Sequence, residues 1–174
     1  RLATLGMRIL TDTAVNMRDQ GVSAQDIIKE LESLKKRVRI FAGLDTLEYL
    51  CKGGRVSKGV ASIGTLANIK PILRFEEDGN VELCGKQIGI RHAIRQVARM
   101  VEEDKPDDRY PLYFLYSYDR GNAVGFVQAL VKKGFVIENP KFREIGPTIG
   151  THIGPNGFGV VYVSQNESEE SYGD

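Results

Sequence analysis

The chain has 174 residues, enough for one domain with a real core and short for two complete ones. Hydrophobic residues make up 41% and charged residues 27%, the composition of a soluble globular protein. The 24 basic and 23 acidic residues leave a net charge of +1, which argues against an extended nucleic-acid surface built from Lys and Arg. No apolar run approaches the ~20 residues that span a bilayer. Cys51 and Cys84 have no CxxC or Cys/His spacing, so reduced thiols in a cytoplasmic protein are expected, with no disulfide framework or zinc site. Arg1 opens the chain and the first residues already read as the inside of a helix, so a missing upstream part is expected.

Apolar positions from Leu2 to Met17 fit a helix ending near Gly21. Ser23 is placed to cap a second helix, with Asp26 returning the contact and Ile27, Leu31, Leu34 and Val38 on one face. Residues 37–42 alternate basic and apolar, the pattern of a half-buried strand. Leu44 to Leu50 reads as a short helix closed by Gly53-Gly54. Residues 57–69 are Gly-interrupted and apolar, either a tightly packed helix or a loop beside a cavity, ended by Lys70-Pro71. Asp78-Gly79-Asn80 predicts a hairpin between strands at 72–75 and 81–83. An amphipathic helix follows at 91–103, an aromatic strand at 110–116, and a helix at 122–133 capped by Gly134. Further strands are expected at 135–137, 142–145 and 159–163, and an acidic frayed tail from Ser164. The fold class is α/β (α+β mixed), with a mixed sheet flanked by helices.

Four segments in order carry a family resemblance. They are Leu44-Asp-Thr-Leu-Glu-Tyr-Leu50, Gly53-Gly-Arg-Val-Ser57, Asn68-Ile-Lys-Pro-Ile-Leu73 and Gly150-Thr-His-Ile-Gly-Pro155. Together they resemble the DegV family, bacterial lipid-binding proteins that hold one fatty acid in a buried pocket. The resemblance implies a two-domain α/β architecture, with residues 1–42 as the end of the first domain, 43–163 as the second, and 164–174 as a flexible tail. It also implies a carrier without catalysis of its own: a monomer that holds a long-chain fatty acid and presents it to a separate fatty acid kinase catalytic subunit. The acyl phosphate made there feeds phospholipid synthesis. No cofactor, metal or nucleic-acid partner is implied, and membrane contact would be transient.

A carrier needs an apolar tunnel and a polar anchor. Burying ~15 methylenes at about 0.8 kcal/mol each gives about 12 kcal/mol gross, so the tail dominates affinity. The head sets orientation, because a buried carboxylate is costly unless hydrogen-bonded or paired. His152 is the anchor candidate: its imidazole can donate to a carboxylate, and Gly150 and Gly154 flank it, letting backbone approach a ligand. The matching family histidine lies at the carboxylate end of the pocket. A satisfied histidine in a Gly-rich turn is the alternative. Thr151 offers a hydroxyl or a structural role. Arg55 offers a planar fork for a phosphate or an acidic partner, or an ion pair that fixes its loop. Ala61, Ile63 and Gly64, with Gly59, Leu66, Ala67 and Ile69, either line the acyl tunnel or pack a helix. His92 is expected to be exposed, and the aromatic residues at 113–116 to be sheet core.

Three departures from the family pattern stand out. The hydroxyl-bearing head-group residues of the first domain are absent from this chain. Ile88 stands where many members carry arginine, with Lys86 or Arg91 as possible substitutes. Asn156-Gly157 follows Gly154-Pro155 where the family continues with glycine. Two other functions remain open at this point. One is an acyl- or phosphoryl-transfer enzyme with His152 as general base, for which neither a Cys or Ser partner motif nor a phosphate-binding glycine signature is present. The other is a protein-interaction module sharing only the fold.

Overall fold

Two amphipathic helices come first, α1 (Leu5–Asp19) and α2 (Ala24–Lys35). Ser23 caps α2 by accepting from the Asp26 backbone N–H, and its hydroxyl donates to the Asp26 carboxylate at 2.7 Å. The reciprocal contact therefore runs side chain to side chain, because the shorter Asp closes onto the hydroxyl. The computed structural model describes residues 5–55, 68–75 and 81–166.

Next come β1 (Val38–Gly43), α3 (Glu48–Lys52), β2 (Ile69–Phe75) and β3 (Val81–Ile88). They are followed by α4 (Ile90–Asp104), β4 (Tyr113–Tyr116), α5 (Gly121–Lys132), β5 (Lys141–Glu144), α6 (Pro147–Ile153) and β6 (Phe158–Val163). One six-stranded mixed sheet results, in the order β3-β2-β1-β6-β4-β5. Only the β4–β5 pair is parallel; the other pairs are antiparallel.

Helices bury both faces of this sheet. Side chains alternate across a strand, so Phe41, Phe114, Phe158, Val160 and Tyr162 face α4 and α5, with Val97, Val101, Phe126 and Leu130 packed against them. On the other face, Val38, Ile40, Leu115, Val161 and Val163 pack against Ile9 of α1 and Leu34 of α2. Further along that face, Ala42, Leu44, Leu47, Leu50, Leu73 and Ile153 form a separate core under α3 and α6. With both faces covered, β6 is buried at every position, so it shows a continuous apolar run and no alternation.

β1 spans residues 42 and 43 and pairs with β2 on one side and β6 on the other. Several expectations of local structure change. Residues 135–137 form no strand. Gly134, at φ +95, ends α5 and the Phe135 N–H returns to the Leu130 carbonyl, a Schellman-type closure that leaves Phe135 and Ile137 packed on the core as irregular chain. Residues 44–47 form a turn before α3 instead of its first helical turn. Ile69 opens β2, and Pro71 lies within it. The Pro71 carbonyl accepts from Leu44 N–H at 2.9 Å, and proline has no N–H to return the reciprocal bond, so the β1–β2 ladder ends there. Ser164 is buried and bonded, its N–H to the Arg37 carbonyl and its hydroxyl to the Asp104 carbonyl, so no frayed tail begins there. Residues 167–174 of the tail, the 76–80 turn and the 56–67 segment, including Gly59, Ala61, Ile63, Gly64, Leu66 and Ala67, lie outside the described residues.

Candidate functional site

The described residues of the four sequence segments meet at one end of the sheet. Lys70 reaches from β2 to Asp45, its ammonium 2.6 Å from the carboxylate and 3.1 Å from the Asp45 carbonyl. This pair fixes the turn that leads into α3. At the far end of α3, Gly53 faces His152 of α6: a Cβ built on Gly53 would lie 2.1 Å from His152 Nδ1. In return, Gly154 after α6 faces α3, where a Cβ would lie 2.2 Å from Cδ2 of Tyr49. Each helix thus presents a glycine to an aromatic side chain of the other, and neither position has room for a larger residue.

His152 sits in the last turn of a helix, where a Gly-rich turn was expected. Pro147 starts α6 at a position where proline's fixed φ suits a helix, and Gly154, at φ +74, ends it. The ring is half-buried, and its Nδ1 is fully enclosed without a hydrogen-bond partner among the described residues.

Arg55 is exposed, and its Nη1 donates to the Gly53 carbonyl at 3.0 Å. It has no ion-pair partner among the described residues. Gly53 is where His152 and Arg55 converge. Thr151 is exposed and its hydroxyl donates to the Thr148 carbonyl within α6, which places it apart from the Gly53 seam. Gly150 is half-buried inside α6, and a Cβ there would meet nothing nearer than the Ile145 carbonyl at 3.6 Å. Its glycine is not demanded by close packing.

Sequence reasoning missed the residues that hold the 154–157 turn. Ser117, buried after β4, donates its hydroxyl to the Gly154 carbonyl at 2.6 Å and accepts from Gly157 N–H at 2.9 Å. Asn122 of α5 donates to the Asn156 carbonyl at 2.7 Å. Asn156 takes φ +61, a left-handed conformation that asparagine tolerates better than most residues, which explains how it stands where the family has glycine. Ser117 gave no signal beyond its place after an aromatic strand. His92 is exposed, and so are Ile88 and Lys86 on the edge strand. Cys51 is half-buried, and the Cys84 thiol donates to the Ile72 carbonyl at 3.4 Å. No metal-ligating cluster occurs among the described residues. None of the described helices is long and apolar enough to cross a membrane.

An open polar cleft of about 440 Å³ lies at the other end of β1, lined by Ser33, Arg37, Asp107, Arg109 and Gln165. There the buried Asp107 carboxylate accepts from both Arg37 and Arg109. Its walls are ion-paired and polar, which suits structural pairing and not an acyl chain.

The DegV family model matches residues 1–165 of this sequence. The chain belongs to the DegV family. A DegV domain-containing protein of Streptococcus pyogenes is 33% identical over 161 residues, which make up 92% of this chain and 55% of that protein. Among solved structures, a fatty acid binding DegV family protein from Streptococcus agalactiae is 27% identical, with a TM-score of 0.79 over 90% of this chain and 55% of its own. The fold is shared with the Streptococcus pneumoniae fatty acid kinase (Fak) B3 protein loaded with linoleic acid, at 16% identity and TM-score 0.80, over 92% of this chain and 56% of that one. This DegV chain spans little more than half the length of the relatives it matches.

Proposed function

We propose that this DegV chain supplies the carboxylate end of a fatty acid site, with His152 as the donor to the head group. The observation that carries this reading is the half-buried His152 at the seam of α3 and α6, whose Nδ1 edge is enclosed against Gly53 and has no hydrogen-bond partner among the described residues. A buried polar atom without a partner is rare in a folded protein, and its enclosure leaves Nε2 as the ring atom to meet a carboxylate. The S. agalactiae relative is described as fatty acid binding, which supports the same ligand class here. Arg55, exposed beside Gly53, adds a positive charge near that end. Ala61, Ile63 and Gly64 are proposed to follow the acyl chain.

The chain acts in this reading as a carrier and not as a catalyst. Ser117, the buried hydroxyl near the α6 turn, is committed to the Gly154 carbonyl and the Gly157 N–H, which takes it out of the role of a nucleophile activated by His152. The bound acid would be presented to a separate kinase subunit, a role suggested by the fold shared with the fatty acid kinase B3 protein. The test is retention of a long-chain acid by the protein and by His152→Ala. A variant that retains as much acid as the parent removes His152 from the site.

A further inference from the structure

We infer that Gly53 sets the tautomer of His152, holding the proton on Nε2 so that the ring is a hydrogen-bond donor on its ligand side. This rests on the reading that His152 meets the carboxylate. The geometry concerns the opposite edge of the ring. The direction in which a Cβ would leave Gly53 ends 2.1 Å from Nδ1 and 2.7 Å from Cε1, with the Tyr49 carbonyl next at 3.2 Å and every other ring atom farther away. Gly53 therefore approaches at the Nδ1 edge and not over the ring face. In place of a Cβ it carries a hydrogen pointed at Nδ1.

A ring N–H at Nδ1 would drive its hydrogen into that C–H. A lone pair there accepts it, as in other weak C–H contacts. Histidine tautomers are commonly fixed by an Nδ1–H donated to a carbonyl or carboxylate, but Nδ1 of His152 has no such partner among the described residues. Excluding the proton from Nδ1 places it on Nε2 in the neutral ring. A carboxylate only accepts hydrogen bonds, so this tautomer offers the one form of neutral imidazole edge the ligand requires. Gly53 is a positioning residue: it touches the histidine, not the acid.

The test is ¹⁵N NMR of the imidazole rings in acid-free protein at about pH 8.5, above the ordinary histidine range, with His92→Asn to assign the two rings. The inference predicts the Nε2–H pattern for His152 in the parent. A methyl on Gly53 has no room beside the ring, so Gly53→Ala should displace the imidazole and lose that pattern, with retention of a long-chain acid falling at least tenfold. A parent spectrum showing Nδ1–H or an even mixture would overturn it, and this measurement does not depend on Gly53→Ala folding well. An unchanged His152 pattern in a folded Gly53→Ala would also overturn it. If the parent shows the Nε2–H pattern yet retains no acid from a panel, the tautomer assignment stands and the proposed function fails.

Discussion

The ring of Tyr49 lies so close to Gly154 that a single added methyl group would sit within 2.2 Å of Cδ2 and 2.9 Å of Cγ. Gly154 also holds φ +74, a region costly for any residue with a side chain. Gly154→Ala is therefore expected to lose about 3 kcal/mol of stability, from overpacking and backbone strain together. Urea unfolding of Gly154→Ala, Tyr49→Ala and the double variant reads this directly. The double variant should be less destabilised than the sum, because removing the ring removes the clash; simple additivity would show that the two do not touch.

His152→Ala separates packing from ligand contact. Its Nδ1 makes no hydrogen bond among the described residues that the substitution could break. A hydrogen bond to a charged group is worth about 1.5–3 kcal/mol, so the dissociation constant for a long-chain acid should rise at least tenfold. Isothermal titration of parent and variant with the same acid measures this, and equal affinities would argue against the head-group role.

The ion-paired end of the sheet makes a pH prediction. The Arg109 guanidinium, opposed by burial and assisted by Arg37, holds the Asp107 carboxyl well below the usual carboxylate range. The folded chain therefore keeps this group ionised when the unfolded chain has begun to take up its proton. Its stabilising contribution is present in full above the unfolded value, about 3.9, and is lost as pH falls below that toward the folded value. Asp107→Asn leaves Arg37 half-paired in a buried setting and should cost about 3 kcal/mol at pH 7. The gap between parent and variant in urea midpoint should narrow as pH drops from 5 to 2; a constant gap would contradict this.

Gly64→Trp tests the proposed path of the acyl chain. A bulky indole on that path should lower the fatty acid recovered per protein molecule, while the unfolding midpoint reports whether the chain remains folded. Full occupancy would take Gly64 off the path.

Much of the fold was legible because local signals agreed with the global arrangement. Ser23 and Asp26 mark the start of α2, and Gly134 marks the end of α5. The apolar spacing of Ile94, Val97 and Val101 marks the buried face of α4. What failed depended on tertiary context. Residues 135–137 have β-forming side chains, but the closure onto Leu130 takes their backbone out of any sheet. α6 was hidden because a seven-residue helix with glycine inside has almost no periodicity to read. In the candidate site, residue type and motif single out His152 and Arg55. That both converge on Gly53 was not legible, since a glycine's contacts leave no trace in its own identity.

The central claim is that this chain helps to bind a fatty acid, and mass spectrometry of an organic extract tests it most directly. The protein is purified gently, extracted, and extracted again after incubation with a panel of saturated and unsaturated long-chain acids. The account predicts a long-chain acid recovered in a fixed ratio to protein and reduced in His152→Ala. Absence of any acid from the folded protein, before and after the panel is offered, would contradict it.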